Sequence, residues 1–208
     1  MNRLGQSRFV NSLTFARVPL IFAWLVLAVA QELRGGAALA VAACAAMLVS
    51  GLTDAWDGRL ARKWGVVSTL GKMADPLMDK IFYLVVFPTL LWQISHQGES
   101  GAHALVMLGF TILYMVRDTW VTFLRSVGSA YGAEVGAMTL GKVRTALSFP
   151  GAGWVYMYLA FHRFAPVAWG QKWLFSCYAV ELALTVITVW SLFTYTSAYL
   201  PCLKKALE

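Results

Sequence analysis

The sequence predicts an all-α integral membrane protein, with six transmembrane helices behind an N-terminal interfacial amphipathic helix. Three observations predict it. Hydrophobic residues make up 59% of the 208 residues and charged residues only 13%, outside the range of soluble domains. Apolar runs recur six times, several of them long enough to cross a bilayer. Lys and Arg are shared unequally between the intervening loops. At this length the chain reads as one membrane domain, residues 1–208.

Residues 1–17 are polar and basic at first, then apolar on one side with Arg8 and Arg17 available to phosphate, as in an interfacial helix. The first span covers about 18–32. Its Ala28-Val29-Ala30 has the small-residue pattern of a signal-peptidase site, but the long basic lead and five later runs favour a retained span. The second span, 37–58, opens with small residues suited to close helix packing. Spans at 75–95, 103–125, 141–163 and 173–198 follow; Pro150-Gly151 interrupts the fifth, and the sixth holds one charge, Glu181.

Six spans put both termini on one side. The loops of the opposite side, 31–36, 96–102 and 162–172, hold only Arg34, Arg163 and Lys172 of the 17 Lys and Arg. The positive-inside rule therefore makes the terminal side cytoplasmic, as in a bacterial inner membrane protein, and puts Asp54–Lys80 there. His96, His103 and His162 fall at the outer face and read as loop or interface histidines. Trp56, Trp64, Trp92, Trp120, Trp169 and Trp173 lie near span ends, as interfacial anchors do. The net charge of +7 reads as cytoplasmic loops facing anionic headgroups or phosphorylated substrates, without nucleic acid. Cys44, Cys177 and Cys202 lack metal-ligand spacing and read as small hydrophobes.

Chemistry concentrates in Asp54–Lys80, D-A-W-D-G-R-L-A-R-K-W-G-V-V-S-T-L-G-K-M-A-D-P-L-M-D-K, which holds four of the ten acidic residues. Asp54 and Asp57 share one helical face by i, i+3 spacing, and Asp75 and Asp79 another by i, i+4. Two such pairs facing each other repel unless a cation joins them. Ligation by carboxylate oxygen alone suits Mg2+ or Mn2+ better than zinc. Gly58, Ala61 and Gly71 lie on the same faces and leave a flat floor, while Arg62 can clamp a phosphate. The bland alternative pairs the acids with Arg59, Arg62, Lys72 and Lys80. Ionisable groups near a bilayer are costly enough that the functional reading is the default.

The spacing Asp54-x2-Asp57-Gly58-x2-Ala61-Arg62-x8-Gly71-x3-Asp75-x3-Asp79 resembles, at every defined position, the signature of the CDP-alcohol phosphotransferase family. The resemblance implies six transmembrane helices, usually as a homodimer, with a site open to the cytoplasm. It implies that an alcohol attacks the β-phosphorus of a CDP-linked donor and that CMP leaves, with two metal ions. Asp54, Asp57 and Asp75 would hold metal, and Asp79 would act as general base and complete the second ion's shell. Gly58, Ala61, Arg62 and Gly71 would receive the cytidine diphosphate.

Beyond the signature, residues 11–19, 117–125, 140–147 and 190–195 resemble the bacterial phosphatidylglycerophosphate synthases, whose donor is CDP-diacylglycerol and whose acceptor is sn-glycerol 3-phosphate. Val10 stands where those enzymes usually have Pro, and Asp118 where they usually have Glu. Cardiolipin synthases, which take phosphatidylglycerol, often show Arg-Asp there, and phosphatidylinositol-phosphate synthases share the core motif. Arg117, Arg125, Lys142 and Arg144, at the inner ends of two spans with Asp118 and Glu134 among them, form a set that can bind an acceptor's phosphate. Lipid headgroup binding is the alternative for any one of them. The competing class, a cation transporter, expects broken helices at the bilayer midplane and a repeat between halves, and neither is evident.

Overall fold

A computed structural model describes residues 2–98, 101–131, 139–164 and 166–207, with only the backbone of Lys72, Thr139, Leu140 and Lys142. These residues form six α-helices and one 3-10 turn: α1 (Arg3–Arg34), α2 (Ala37–Trp64), α3 (Thr69–His96), α4 (Gly101–Ala130), α5 (Thr139–Phe161), the turn His162–Phe164, and α6 (Val167–Leu207). Among them α1, α2, α3, α4 and α6 are long and apolar enough to cross a membrane, which makes this a multi-pass membrane protein.

The helices close into a ring in the order α2, α1, α3, α4, α6, α5 and back to α2, with α3 also touching α5. The interface of α1 with α2 is the most extensive, and the small residues Ala40 and Ala43 of α2 are fully buried. α1 also packs along α3, so it lies between α2 and α3, which scarcely touch each other among the described residues. The core gathers Trp24, Met47, Phe87, Leu90, Met107 and Tyr156, with Tyr83, Phe87, Phe110 and Tyr114 in mutual ring contact. Large apolar side chains such as Val41, Leu105, Ile112, Phe175, Leu182 and Phe193 face outward, as a lipid-facing surface demands.

One expectation changes at the N-terminus. Residues 3–17 do not form a separate interfacial helix but run unbroken into the first span through Pro19. The reason is a single buried stripe, Val10, Thr14, Arg17, Ile21, Trp24, Ala28 and Gln31, whose alternating spacing of four and three joins both halves on one face. Gly35 and Gly36 then turn the chain at φ 73° and 105°, a backbone that side chains other than glycine's rarely tolerate.

Several helices outrun their apolar stretches at one end of the bundle. α2 continues to Trp64, α4 to Ala130, and α6, at 41 residues, to Leu207. At about 1.5 Å per residue α6 is roughly twice as long as a bilayer core is thick. The loop between α2 and α3 lies at this end, tightened by Gly65 in the left-handed conformation (φ 64°) and by Ser68, whose hydroxyl accepts from the Gly71 N–H at 2.9 Å.

The opposite end holds two polar clasps and corrects one histidine. His103 is no loop residue: it is fully buried on α4, with Nε2 3.0 Å from Glu181 Oε1 of α6. α4 begins two residues earlier, at Gly101, and turns the ring toward its partner acid. Glu32 accepts from Gln97 Nε2 at 2.6 Å and lies 3.0 Å from His96 Nδ1, joining α1 to the end of α3.

Candidate active site

The acids sit where helix order puts them. Asp54 and Asp57 lie two to three turns before the end of α2, and Asp75 and Asp79 lie two to three turns into α3. α1 runs between those helices, so its buried face looks into the space between the two pairs. Arg17, itself only 4% exposed, fills that space. Its Nη1 lies 2.5 Å from Asp54 Oδ1 and 3.5 Å from Asp79 Oδ1; its Nη2 lies 2.6 Å from Asp75 Oδ1 and 3.2 Å from Asp57 Oδ2. One guanidinium thus answers four carboxylates, and it is not one of the basic residues of Asp54–Lys80 weighed as their partners.

Ligand atoms of Asp54, Asp75 and Asp79 lie within 4.8 Å of one another, so those three acids can hold a metal ion. Asp57 stands slightly apart and buried, its Oδ2 accepting from the Thr14 hydroxyl at 2.7 Å as well as from Arg17. The donor set fits a hard divalent cation: it is all oxygen, and its carboxylates already converge on a positive group.

Three clefts meet at these acids. The first, about 340 Å³, is lined by Gly58, Ala61, Arg62 and Gly71 together with Asn11, Thr14, Ser68, Asp57 and Asp75. It brings together all four residues expected to receive the nucleotide. Asn11 and Ser68 were not foreseen; the Ser68 hydroxyl donates to Asn11 Oδ1 at 2.8 Å and ties α1 to the start of α3. A Cβ on Gly71 would fall 3.0 Å from Ser68 Oγ and 3.3 Å from Asn11 Oδ1, so glycine there keeps this corner open. On Gly58 a Cβ would meet only Arg62, at an ordinary 3.5 Å.

The second cleft, about 610 Å³, is lined by Asp54, Asp75 and Asp79 together with the cations Lys80, Arg117, Arg125 and Arg144. Arg117 and Arg144 are buried, at 3% exposure each. Arg144 lies 4.0 Å above the Tyr114 ring and donates to Asp118 Oδ1 at 3.1 Å. Arg117 donates to Ser191 and faces the Tyr195 ring at 5.0 Å, and Arg125 donates to the Tyr195 hydroxyl at 3.2 Å. Lys80 joins the set from α3, 3.4 Å from Asp118 Oδ2. The fourth expected cation, Lys142, lies on α5, but its side chain is outside the described residues, as is Glu134.

The third cleft, about 330 Å³, is mainly apolar, with Ile21, Leu48, Leu52, Met78, Phe82 and Phe149 beside Asp54 and Asp79. It reaches two of the acids from a mainly apolar side.

Sequence reasoning missed Asn11 and Thr14 and misplaced Arg17. All three lie at steps of three on α1, a polar row on the buried face of an apolar helix. That row was the available signal.

An all-helical membrane bundle whose acid pairs open both on an apolar cleft and on a basic one defines a membrane enzyme acting on phosphate-bearing lipids. Residues 9–190 match the family model described as CDP-alcohol phosphatidyltransferase, and the chain belongs to that family. It is therefore a CDP-diacylglycerol-dependent phosphatidyltransferase family enzyme of phospholipid biosynthesis. It is 31% identical over 173 residues to a CDP-diacylglycerol–glycerol-3-phosphate 3-phosphatidyltransferase of Treponema pallidum, covering 82% of this chain and 75% of that one. The Escherichia coli protein of the same name is 26% identical over 157 residues, covering 76% of this chain and 78% of the other. A cardiolipin synthase (CMP-forming) of Streptomyces coelicolor is 28% identical over 188 residues, covering 83% and 81%.

Proposed function

We propose that the protein transfers the phosphatidyl group of CDP-diacylglycerol to the hydroxyl of sn-glycerol 3-phosphate, giving phosphatidylglycerol phosphate and CMP. The observation that carries this reading is the shared cleft, lined by Asp54, Asp75 and Asp79 together with Lys80, Arg117, Arg125 and Arg144. A small phosphorylated alcohol set in it has its anion on the cations and its hydroxyl toward the acids.

In this reading Gly58, Ala61 and Gly71 let the cytidine diphosphate approach the backbone of α2 and α3, and Arg62 holds a phosphate. Asp54, Asp57, Asp75 and Asp79 would hold Mg2+ or Mn2+. When bound, these ions neutralise charge on the diphosphate. Asp79 takes the proton of the acceptor hydroxyl as its oxygen bonds to the β-phosphorus, and the bond to CMP breaks in line with the attack. Arg117, Arg125, Arg144 and Lys142 fix the acceptor phosphate. The donor's acyl chains leave through the apolar cleft of Leu48, Leu52, Phe82 and Phe149.

The reading also counts α5 as a sixth span, since its 23 residues reach about 35 Å at roughly 1.5 Å per residue. It puts both termini and the site on the cytoplasmic side of a bacterial inner membrane and takes the protein as a homodimer, following the family resemblance.

Phosphatidylglycerol is the second acceptor to weigh. The apolar cleft beside Asp54 and Asp79 favours it in the alternative in which that cleft takes the acceptor's acyl chains rather than the donor's.

CMP release from CDP-diacylglycerol in Mg2+ with glycerol 3-phosphate tests the proposal. Asp57→Asn, which removes a carboxylate that would hold metal, and Asp79→Asn, which removes the base, should each lower it about a thousandfold or more, while the protein still inserts. Turnover like the wild type's in either variant sinks the assignment. Metal-dependent cation flux in liposomes without CMP release supports a transporter instead.

A further inference from the structure

We infer that Arg17 is a built-in counter-ion of the carboxylate site, which a divalent cation must displace in order to bind. The inference rests on the metal reading above and extends it to a residue of α1. Asp54, Asp75 and Asp79 can offer ligand atoms within 4.8 Å of one another, and the Arg17 guanidinium contacts all three. Ligand oxygens sit about 2.1 Å from Mg2+, inside the space that the guanidinium nitrogens now fill. A divalent ion and a guanidinium also repel each other at such range. The two are alternatives at the same oxygens.

Helix order makes Arg17 suited to the task. Arginine stays charged at any working pH and presents a planar fork of donors, so one side chain can serve acids on two helices. α1 lies between those helices, and Arg17, buried in their midst, also lines the cleft beside Asp54 and Asp79, which leaves it room to swing aside. Without this charge, four carboxylates would face one another across a small gap, a repulsion that opens the site or forces protons onto it. Arg17 therefore keeps α2 and α3 together while no metal is bound.

Displacement leaves Thr14 in place. It sits three residues before Arg17 and holds Asp57 by its own hydrogen bond, so the buried acid keeps its position when the guanidinium leaves. Metal loading thus moves one side chain of α1 while that helix stays tethered. The competition lowers affinity for the ion, and a donor arriving with its diphosphate supplies the anion that Arg17 loses.

The test uses full-length protein in detergent, stripped with chelator and titrated with Mn2+, the free ion being followed by its paramagnetic resonance signal. Arg17→Gln should bind Mn2+ on the order of tenfold to a hundredfold more tightly than wild type, the equivalent of one lost charge-assisted competitor. Its thermal unfolding in chelator should fall below that of wild type and recover on adding Mn2+. A merely structural arginine predicts the opposite, unchanged or weaker metal binding, and that result in folded Arg17→Gln overturns the inference. If Arg17→Gln does not fold, Arg17→Lys decides: its single ammonium serves fewer acids, so Mn2+ should again bind more tightly, and equal or weaker binding overturns the inference. Wild-type protein that binds no Mn2+ overturns the metal reading itself.

Discussion

The hydroxyl of Thr14 on α1 lies 2.7 Å from Oδ2 of Asp57 on α2, and it is a neutral donor to a buried acid. Its backbone acceptor, Val10 O, is more distant at 3.3 Å, so the hydroxyl is committed to the carboxylate. Thr14→Val keeps the shape and removes the donor, leaving Asp57 short of one partner. Turnover should fall about tenfold, in line with roughly 1–3 kcal/mol for a buried group left short of a hydrogen bond. Thr14→Ser should retain most of the activity. Steady-state CMP release by the two variants checks this.

The corner made by Gly71, Ser68 and Asn11 should govern the donor alone. Gly71→Ala pushes a methyl against Ser68 Oγ and Asn11 Oδ1, and neither can retreat without breaking its hydrogen bond to the other. KM for CDP-diacylglycerol should rise on the order of tenfold, with KM for the acceptor little changed. A variant altered equally for both substrates would mean that this cleft is not a nucleotide subsite.

Arg125 offers the cleanest probe of the basic residues in this cleft. It is exposed, and its hydrogen bond is to the Tyr195 hydroxyl, so its loss leaves the core intact. Arg125→Gln should raise KM for glycerol 3-phosphate about tenfold to a hundredfold, the usual value of one charged hydrogen bond, and spare KM for the donor. Initial rates at varied acceptor and fixed donor measure it.

Tyr195 supplies the ring and hydroxyl that Arg117 and Arg125 contact, and Gly141 makes room for it. A Cβ at Gly141 would fall 2.8 Å from the Tyr195 hydroxyl and 3.4 Å from its ring. Gly141→Ala should therefore shift Tyr195, loosen Arg117 and Arg125 together, and weaken acceptor binding more than Arg125→Gln does. Comparing the two variants' acceptor KM values tests whether the ring organises the pair.

Local periodicity made part of this site legible. The faces shared by Asp54 with Asp57, Asp75 with Asp79, and Gly58 with Ala61 follow from helix geometry within one element, and the structure keeps them. Arg17 reads as available to phosphate because nothing near it in sequence is acidic. Its partners lie 37 to 62 residues away by number, on helices that only the packing of α1 between α2 and α3 brings together. His103 was lost for the same reason, since Glu181 is 78 residues distant. The helix ends of α2, α4 and α6 lie beyond their apolar stretches, because backbone hydrogen bonding continues where hydropathy gives no signal.

The central claim is the acceptor, and one competition measures it most directly. Purified protein with CDP-diacylglycerol and Mg2+ is offered glycerol 3-phosphate, phosphatidylglycerol and inositol phosphate, singly and together, and the lipid product is identified by mass. The account predicts phosphatidylglycerol phosphate as the product, with CMP release driven by glycerol 3-phosphate. Cardiolipin formed from phosphatidylglycerol, with glycerol 3-phosphate inert, would contradict it.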